Sequence, residues 1–283
     1  YTMISTSTVA AAIAVLASVN QVAAHGYVEQ VWANGQTYWG TNEDGGKPSG
    51  SPVLVTDYLT PTYDVWSREI ACGINPQGAQ GVIEIEAGGS IGWHWVTHSG
   101  SDAKTWTHNE GTHRSFLAPC NGDCGSVDVT QLEFTELGSE YTGQQGWDGS
   151  TWPVHVLAEG GAWYDKIPDA PTGDYILRNE LTALHYSDKV VGSWDNGHAW
   201  GTEFYPTCVA IRITRSGGTW NMGNAVKFPG AYQVNQSGHY NPNIWSDPGS
   251  VGISSLSSFG RTVWVSGSNN NSGNNNSGSN DNG

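Results

Sequence analysis

An all-β sandwich of the immunoglobulin/fibronectin-III-like kind, with long loops, is the fold this sequence predicts, and three observations predict it. Short stretches alternate apolar and polar residues with a period of two. Gly, Pro, Asn and Ser break them from end to end. Helical periodicity is hard to find beyond the first two dozen residues.

Taken in order, Val82, Ile83 and Ile85 mark one strand, Ile91, Trp93 and Trp95 alternate in the next, and Trp152, Val154 and Val156 read as another. Tyr175, Leu177, Asn179 and Leu181 share one side of a longer strand, and Val209, Ile211 and Ile213 share one side of its counterpart. His94 and His155 alternate with apolar neighbours and read as ordinary sheet positions. His98, His198 and His239 lie in polar, Gly-containing loops and carry no assigned role, although His198 is close enough in sequence to Tyr205 to stay a candidate neighbour of it. Two long connections, 33–70 and 97–116, are where functional residues are expected.

Residues 1–24 read as a secretory signal peptide: an apolar run, Thr8 to Val19, is followed by small residues at Val22 and Ala24, and cleavage there exposes His25. No Lys or Arg precedes the run, and the chain begins at Tyr1, with Met3 as the expected start. The run is far short of the roughly 20 residues that cross a bilayer, so a secreted protein with no membrane segment is expected. A single domain is expected over 25–262. From 263 to 283 an Asn/Ser/Gly-rich linker or tail, able to bury nothing apolar, is expected to be disordered. Asn235, Asn270 and Asn275 begin possible glycosylation sequons.

With 11 Lys and Arg residues and a net charge of -15, the chain would be repelled by nucleic acid and by an anionic membrane, and neither is expected as a partner. Fourteen Trp and 38 Gly suit a protein whose rings stack on sugars, although packing in a loop-rich core accounts for most of them. Cys72, Cys120, Cys124 and Cys208 make an even set in an exported chain, which implies two disulfides with three possible pairings. A metal site fits less well, because Cys120-Asn121-Gly122-Asp123-Cys124 has one residue too many for a CxxC pair.

A histidine at a free amino terminus can chelate one ion through its α-amine and ring Nδ1 together, which no internal histidine can do. One further imidazole completes a planar set of three nitrogens, which suits Cu(II) better than the tetrahedral preference of zinc. His25 is therefore the first candidate metal ligand.

Five ordered blocks then resemble the fungal lytic polysaccharide monooxygenases of auxiliary activity family nine, over nearly all of His25 to Pro248. They are His25-Gly26-Tyr27-Val28, Phe116 to Cys124, Tyr175 to His185, Gly201 to Cys208, and Phe228 to Tyr232. The resemblance implies one copper ion held by His25 and a second imidazole, His108, with Tyr205 at a distant axial position. It makes His185 and Glu203 groups that hydrogen-bond to the oxygen co-substrate, and it implies disulfides Cys72–Cys208 and Cys120–Cys124. Oxidative cleavage of cellulose or another β-linked polysaccharide is implied, by a secreted monomer that takes electrons from a small reductant or a secreted dehydrogenase and uses oxygen or hydrogen peroxide. A flat binding face is also implied, with Tyr27, Tyr240 and Trp245 as candidate sugar-stacking residues.

Two departures from the family pattern matter. Where the family has His, one residue, then Gly-Pro, this chain reads His108-Asn109-Glu110-Gly111-Thr112-His113, so His113 is an alternative second imidazole. Glu203 stands where the family generally places glutamine, and an ionised or a protonated carboxyl would act differently there. Other classes compete: a carbohydrate-binding sandwich without catalysis, a copper-binding or copper-trafficking protein, and a two-carboxylate glycosidase, for which Glu84 and Glu86 share a strand face that reads more simply as solvated.

Overall fold

The computed structural model describes residues 25–41, 48–54, 56, 60–76, 78–98, 105–140, 152–158, 160–195, 198–216, 225–236, 239–246 and 263–265. The expected signal segment, Asn270 and Asn275 lie outside these residues; Asn235 is exposed. Among them no helix is long and apolar enough to cross a membrane.

The fold is a β-sandwich. β1 (His25–Ala33) and β2 (Gln36–Trp39) form a hairpin with a two-residue turn at Asn34-Gly35. A short helix α1 (Glu69–Cys72) precedes β3 (Ile83–Ile85) and β4 (Ser90–His98). β5 (His113–Pro119), a 3-10 turn at Val129–Gln131 and β6 (Thr135–Glu140) follow. Next come helix α2 (His155–Ala158), β7 (Ala162–Lys166) and β8 (Gly173–Ala183), then the small hairpin of β9 (Ser193–Asp195) and β10 (His198–Trp200), and lastly β11 (Glu203–Ile213) and β12 (Val263–Val265). One sheet runs β12-β7-β4-β1-β2 and is antiparallel; the other runs β3-β11-β8-β5-β6, with only the β3–β11 pair parallel.

Between the sheets lie Val28, Val31, Trp93, Trp95 and Trp163 of the first and Leu117, Leu177, Leu181, Val209 and Ile211 of the second, all buried. This is the layer the alternation predicts. The reverse face of the second sheet is buried as well. Phe116, Ile176, Phe204 and Ala210 pack there against Ile70 and Ala71 of α1 and against Val65, Phe134, Phe228 and Tyr232. β8 and β11 are therefore covered on both sides, and over 175–183 and 203–211 their even-numbered and odd-numbered residues are alike inside.

The 33–70 connection is sewn to the sandwich by bridges, Val53 to Val209 and Thr62 to Phe204. Cys72–Cys208 ties α1 to β11 within the second core, and Cys120–Cys124 closes a short loop after β5. The first spans 136 residues. Replacing both of its cysteines by serine is expected to lower unfolding free energy by about 2–4 kcal/mol, read by guanidinium denaturation, because the unfolded chain regains the entropy of a long open loop.

Two expectations are corrected. Trp152, Val154 and Val156 do not form a strand: Trp152 and Val154 are buried in a turn that leads into α2, which carries His155. Pro153 has no N–H to give a strand ladder, and that accounts for the difference. Val263–Val265 pairs with β7 at the edge of the first sheet, where the sequence predicts no strand.

Candidate metal centre

β11 opens the site. Glu203 and Tyr205 are two apart on one strand, so their side chains leave the same face. His185 follows the end of the neighbouring strand β8 by two residues. His108 is brought beside it by backbone bonds from Leu184 N to Glu110 O (3.0 Å) and Thr182 N to Thr112 O (3.0 Å). Gly111 permits that approach, since a Cβ there would lie 1.9 Å from the Thr182 carbonyl oxygen.

The His108 and His185 rings stack at 4.6 Å with planes 9° apart. His108 Nε2 is 3.4 Å from Glu203 Oε2, and His185 Nε2 is 3.7 Å from Oε1. Both Glu203 oxygens accept from phenols: Tyr205 donates to Oε2 at 2.6 Å and Tyr63 to Oε1 at 2.7 Å. Tyr205 Oη also lies 3.4 Å from His108 Nε2. Trp106 walls the cluster, edge-on to His108 at 5.3 Å and to Tyr205 at 4.9 Å. Burial, with the Glu203 carboxylate adding to it, holds the phenols of Tyr205 and Tyr63 well above their ordinary range, so they keep their protons. Burial pushes the His185 imidazole down to about 4, against the pull of Glu203 and aided by His108.

The donor set fits a transition-metal ion. Ligating atoms of His108, His185 and Glu203 lie within 4.8 Å of one another. The imidazole-to-carboxylate distances exceed the usual 2.7–3.2 Å of an N–H···O hydrogen bond, and His185 Nδ1 is buried with no hydrogen-bond partner among the described residues. Imidazole donors favour copper and zinc over calcium and magnesium.

The side chain of His25 lies outside the described residues, but its backbone opens β1 opposite His98. The next residue, Gly26, abuts Trp106: a Cβ at position 26 would sit 2.1 Å from Trp106 Cζ3. This contact sets the start of β1 against the cluster wall. Trp106 is 1% exposed and has no room to retreat. Gly26→Ala is therefore expected to cost about 1–3 kcal/mol of stability by overpacking, measured by chemical denaturation.

The other predicted positions separate from this cluster. His113 is fully buried, stacked on Trp163 at 4.1 Å and hydrogen-bonded through Nε2 with Asn179, and burial pushes it down to about 3. The structure thus brings His108, and not His113, to His185 and Glu203. Tyr27 is 4% exposed and lines a small cavity with Leu54, Thr60 and Thr62, on a strand flanked by β2 and β4. It is no surface residue, which corrects its proposed role in sugar stacking. Trp245 is 45% exposed and Tyr240 half-buried. His94 stacks on Trp32, His155 Nδ1 meets Asn109 Oδ1 at 3.1 Å, and His239 is buried against Phe204 and Tyr232. The side chains of His98 and His198 lie outside the described residues. Glu84 and Glu86 are exposed and face Arg212 and Arg215, a solvated ion-paired face.

Sequence reasoning missed Tyr63, Trp106, Tyr186 and the β9–β10 hairpin. Tyr186 is 39% exposed, its ring 4.1 Å from His185 and 4.8 Å from Trp200, while Trp194 of β9 is 72% exposed. A signal for the hairpin was present: Asn196-Gly197 between Trp194 and Trp200 is a turn dipeptide flanked by strand-forming residues. Tyr63 carries no such local signal.

A family model described as Auxiliary Activity family 9 (formerly GH61) matches residues 25–250. An AA9 family lytic polysaccharide monooxygenase D from Gloeophyllum trabeum is 32% identical over 248 residues, covering 86% of this chain and 66% of that protein. An AA9 family lytic polysaccharide monooxygenase A from Penicillium parvum is 30% identical, covering 75% of this chain and 82% of its own length. Among solved structures, the extended catalytic domain of H. jecorina LPMO9A superposes with a TM-score of 0.65 at 27% identity, over 84% of this chain and 98% of that one.

Proposed function

The chain belongs to auxiliary activity family 9, and from that premise we propose that it is a secreted, copper-dependent lytic polysaccharide monooxygenase acting on cellulose or a related β-glucan. The observation that carries the proposal is the convergence of His108, His185, Glu203 and Tyr205 beside the start of β1.

His25, with its α-amine and Nδ1, and His108, through Nε2, would hold one copper ion, with the Tyr205 phenol beside His108. Copper, when bound, supplies one-electron chemistry toward oxygen or hydrogen peroxide, driven by an external donor, that removes hydrogen from a sugar carbon. The chain's own residues do the rest. His185 is uncharged at neutral pH and can exchange a hydrogen bond with the oxygen co-substrate. The Glu203 carboxyl lies beside it, with both oxygens accepting from phenols. Trp106 closes the inner side of the site to water. On the outer side, Tyr186, in contact with His185, and the exposed ring of Trp194 offer faces on which pyranose rings stack.

Electron paramagnetic resonance of the copper-loaded protein tests the metal assignment. A chain beginning at His25 is expected to give a nitrogen-rich Cu(II) spectrum that is lost when Ala24 is retained before it. An unchanged spectrum on extension would rule out the amino terminus as a ligand.

A further inference from the structure

Tyr63 reaches Glu203 from 140 residues away, and the segment that carries it is fixed to the strand that carries Glu203. Thr62 N donates to Phe204 O at 2.9 Å and Phe204 N to Thr62 O at 3.0 Å, each one residue from the side chains concerned. Among the described residues, the Glu203 carboxylate has two partners at hydrogen-bond length, the phenols of Tyr63 and Tyr205, one on each oxygen. The imidazoles of His108 and His185 stand farther off, at 3.4 and 3.7 Å.

A carboxylate held at one oxygen can still turn about its last torsion, which is a broad and soft one. Held at both, it cannot. We propose that Tyr63 is a positioning residue of this site: it locks the Glu203 carboxylate in one plane as an acceptor of two phenol protons, so that its remaining lone pairs face His108 and His185 and do not swing among them. This inference rests on the copper reading above for its consequence, but not for its geometry. Each carboxylate oxygen has two acceptor positions, so one phenol on each leaves one free. The two charge-assisted bonds also draw charge from the carboxylate and temper the field it exerts at the imidazoles.

The test uses Tyr63→Phe, which keeps the ring and removes the hydroxyl, in the copper-loaded mature protein. The Cu(II) resonance spectrum is expected to shift, because Glu203 Oε1 is released, and the turnover rate to fall by about 10–100-fold with KM for polysaccharide unchanged, the range typical when a partner orienting a metal-site group is lost. In a Glu203→Ala background the same substitution is expected to change turnover by less than about threefold, since the acceptor it held is gone. A Tyr63→Phe spectrum superimposable on the parent would overturn the proposal. So would a loss of turnover equally large in the Glu203→Ala background, which would mark Tyr63 as a general structural prop. If the parent protein binds copper but releases no oxidised sugar, the functional reading fails while the spectral comparison still decides the role of Tyr63.

Discussion

Replacing His108 by alanine is expected to lower oxidative turnover by more than about 100-fold and to release copper at micromolar protein concentrations. Loss of a partner that merely orients a ligand costs 10–100-fold in metal affinity or activity, and His108 is the imidazole whose Nε2 points at both Tyr205 and Glu203. The stacked His185 ring would remain, so the fold around the site should survive and a thermal unfolding curve should move little. His113→Ala is the informative contrast. That ring is sealed between the sheets against Trp163, so its removal should lower stability and leave copper affinity unchanged. Titration of both variants with copper, followed by turnover measurements, distinguishes the two histidines directly.

The largest stability effect outside the disulfides is expected at Arg178. Its guanidinium is fully buried in the second core, where Nε donates to Ala71 O and Nη2 to Ile70 O, both at 2.7 Å, and Nη2 pairs with Glu180. Glu180 also accepts from Tyr232 at 2.7 Å, and the guanidinium lies 3.9 Å from the centre of the Phe228 ring. Arg178→Ala would take from the buried Glu180 carboxylate the guanidinium that donates to it and strip two carbonyls at α1 of their donor. Breaking a buried pair from one side typically costs 3–5 kcal/mol, so a loss of about 4 kcal/mol is expected in guanidinium denaturation. Lysine at this position should restore less than half, because a single ammonium cannot reproduce the planar fork that reaches Ala71, Ile70 and Glu180 together.

Arg178 also marks the limit of what the sequence discloses about the fold. Tyr175, Leu177 and Leu181 announce the inner face of β8 because one sheet packed on another leaves a period of two. Arg178 and Glu180, on the opposite face, read by the same rule as solvent-facing. Their cover comes from α1 and from Phe228 and Tyr232, whose distance along the chain leaves no local trace. Trp152-Pro153-Val154 imitates strand alternation, yet proline cannot join a ladder, and the segment turns into a helix.

The site divides in the same way. His185, Glu203 and Tyr205 lie in two of the short blocks that resemble the family, whereas His108 lies outside those blocks, where the family pattern is broken. Choosing between His108 and His113 needed the pairing of the 110–112 segment with the end of β8, which only the folded chain displays. Tyr63 and Trp106 contribute through contacts with residues that are remote in sequence or on another strand. Tyr27 misled because an aromatic ring near the amino terminus looks available until β2 and β4 flank its strand.

Product analysis by mass spectrometry tests the central claim most directly. The mature, copper-loaded protein is incubated with cellulose, xylan and mixed β-glucan, with and without a small reductant. Oxidised oligosaccharides are expected from at least one of these substrates, only when reductant is present, and not from protein stripped of copper. Tight copper binding with no oxidised product from any of the three would contradict the account and would leave a secreted copper-binding or carbohydrate-binding protein in its place.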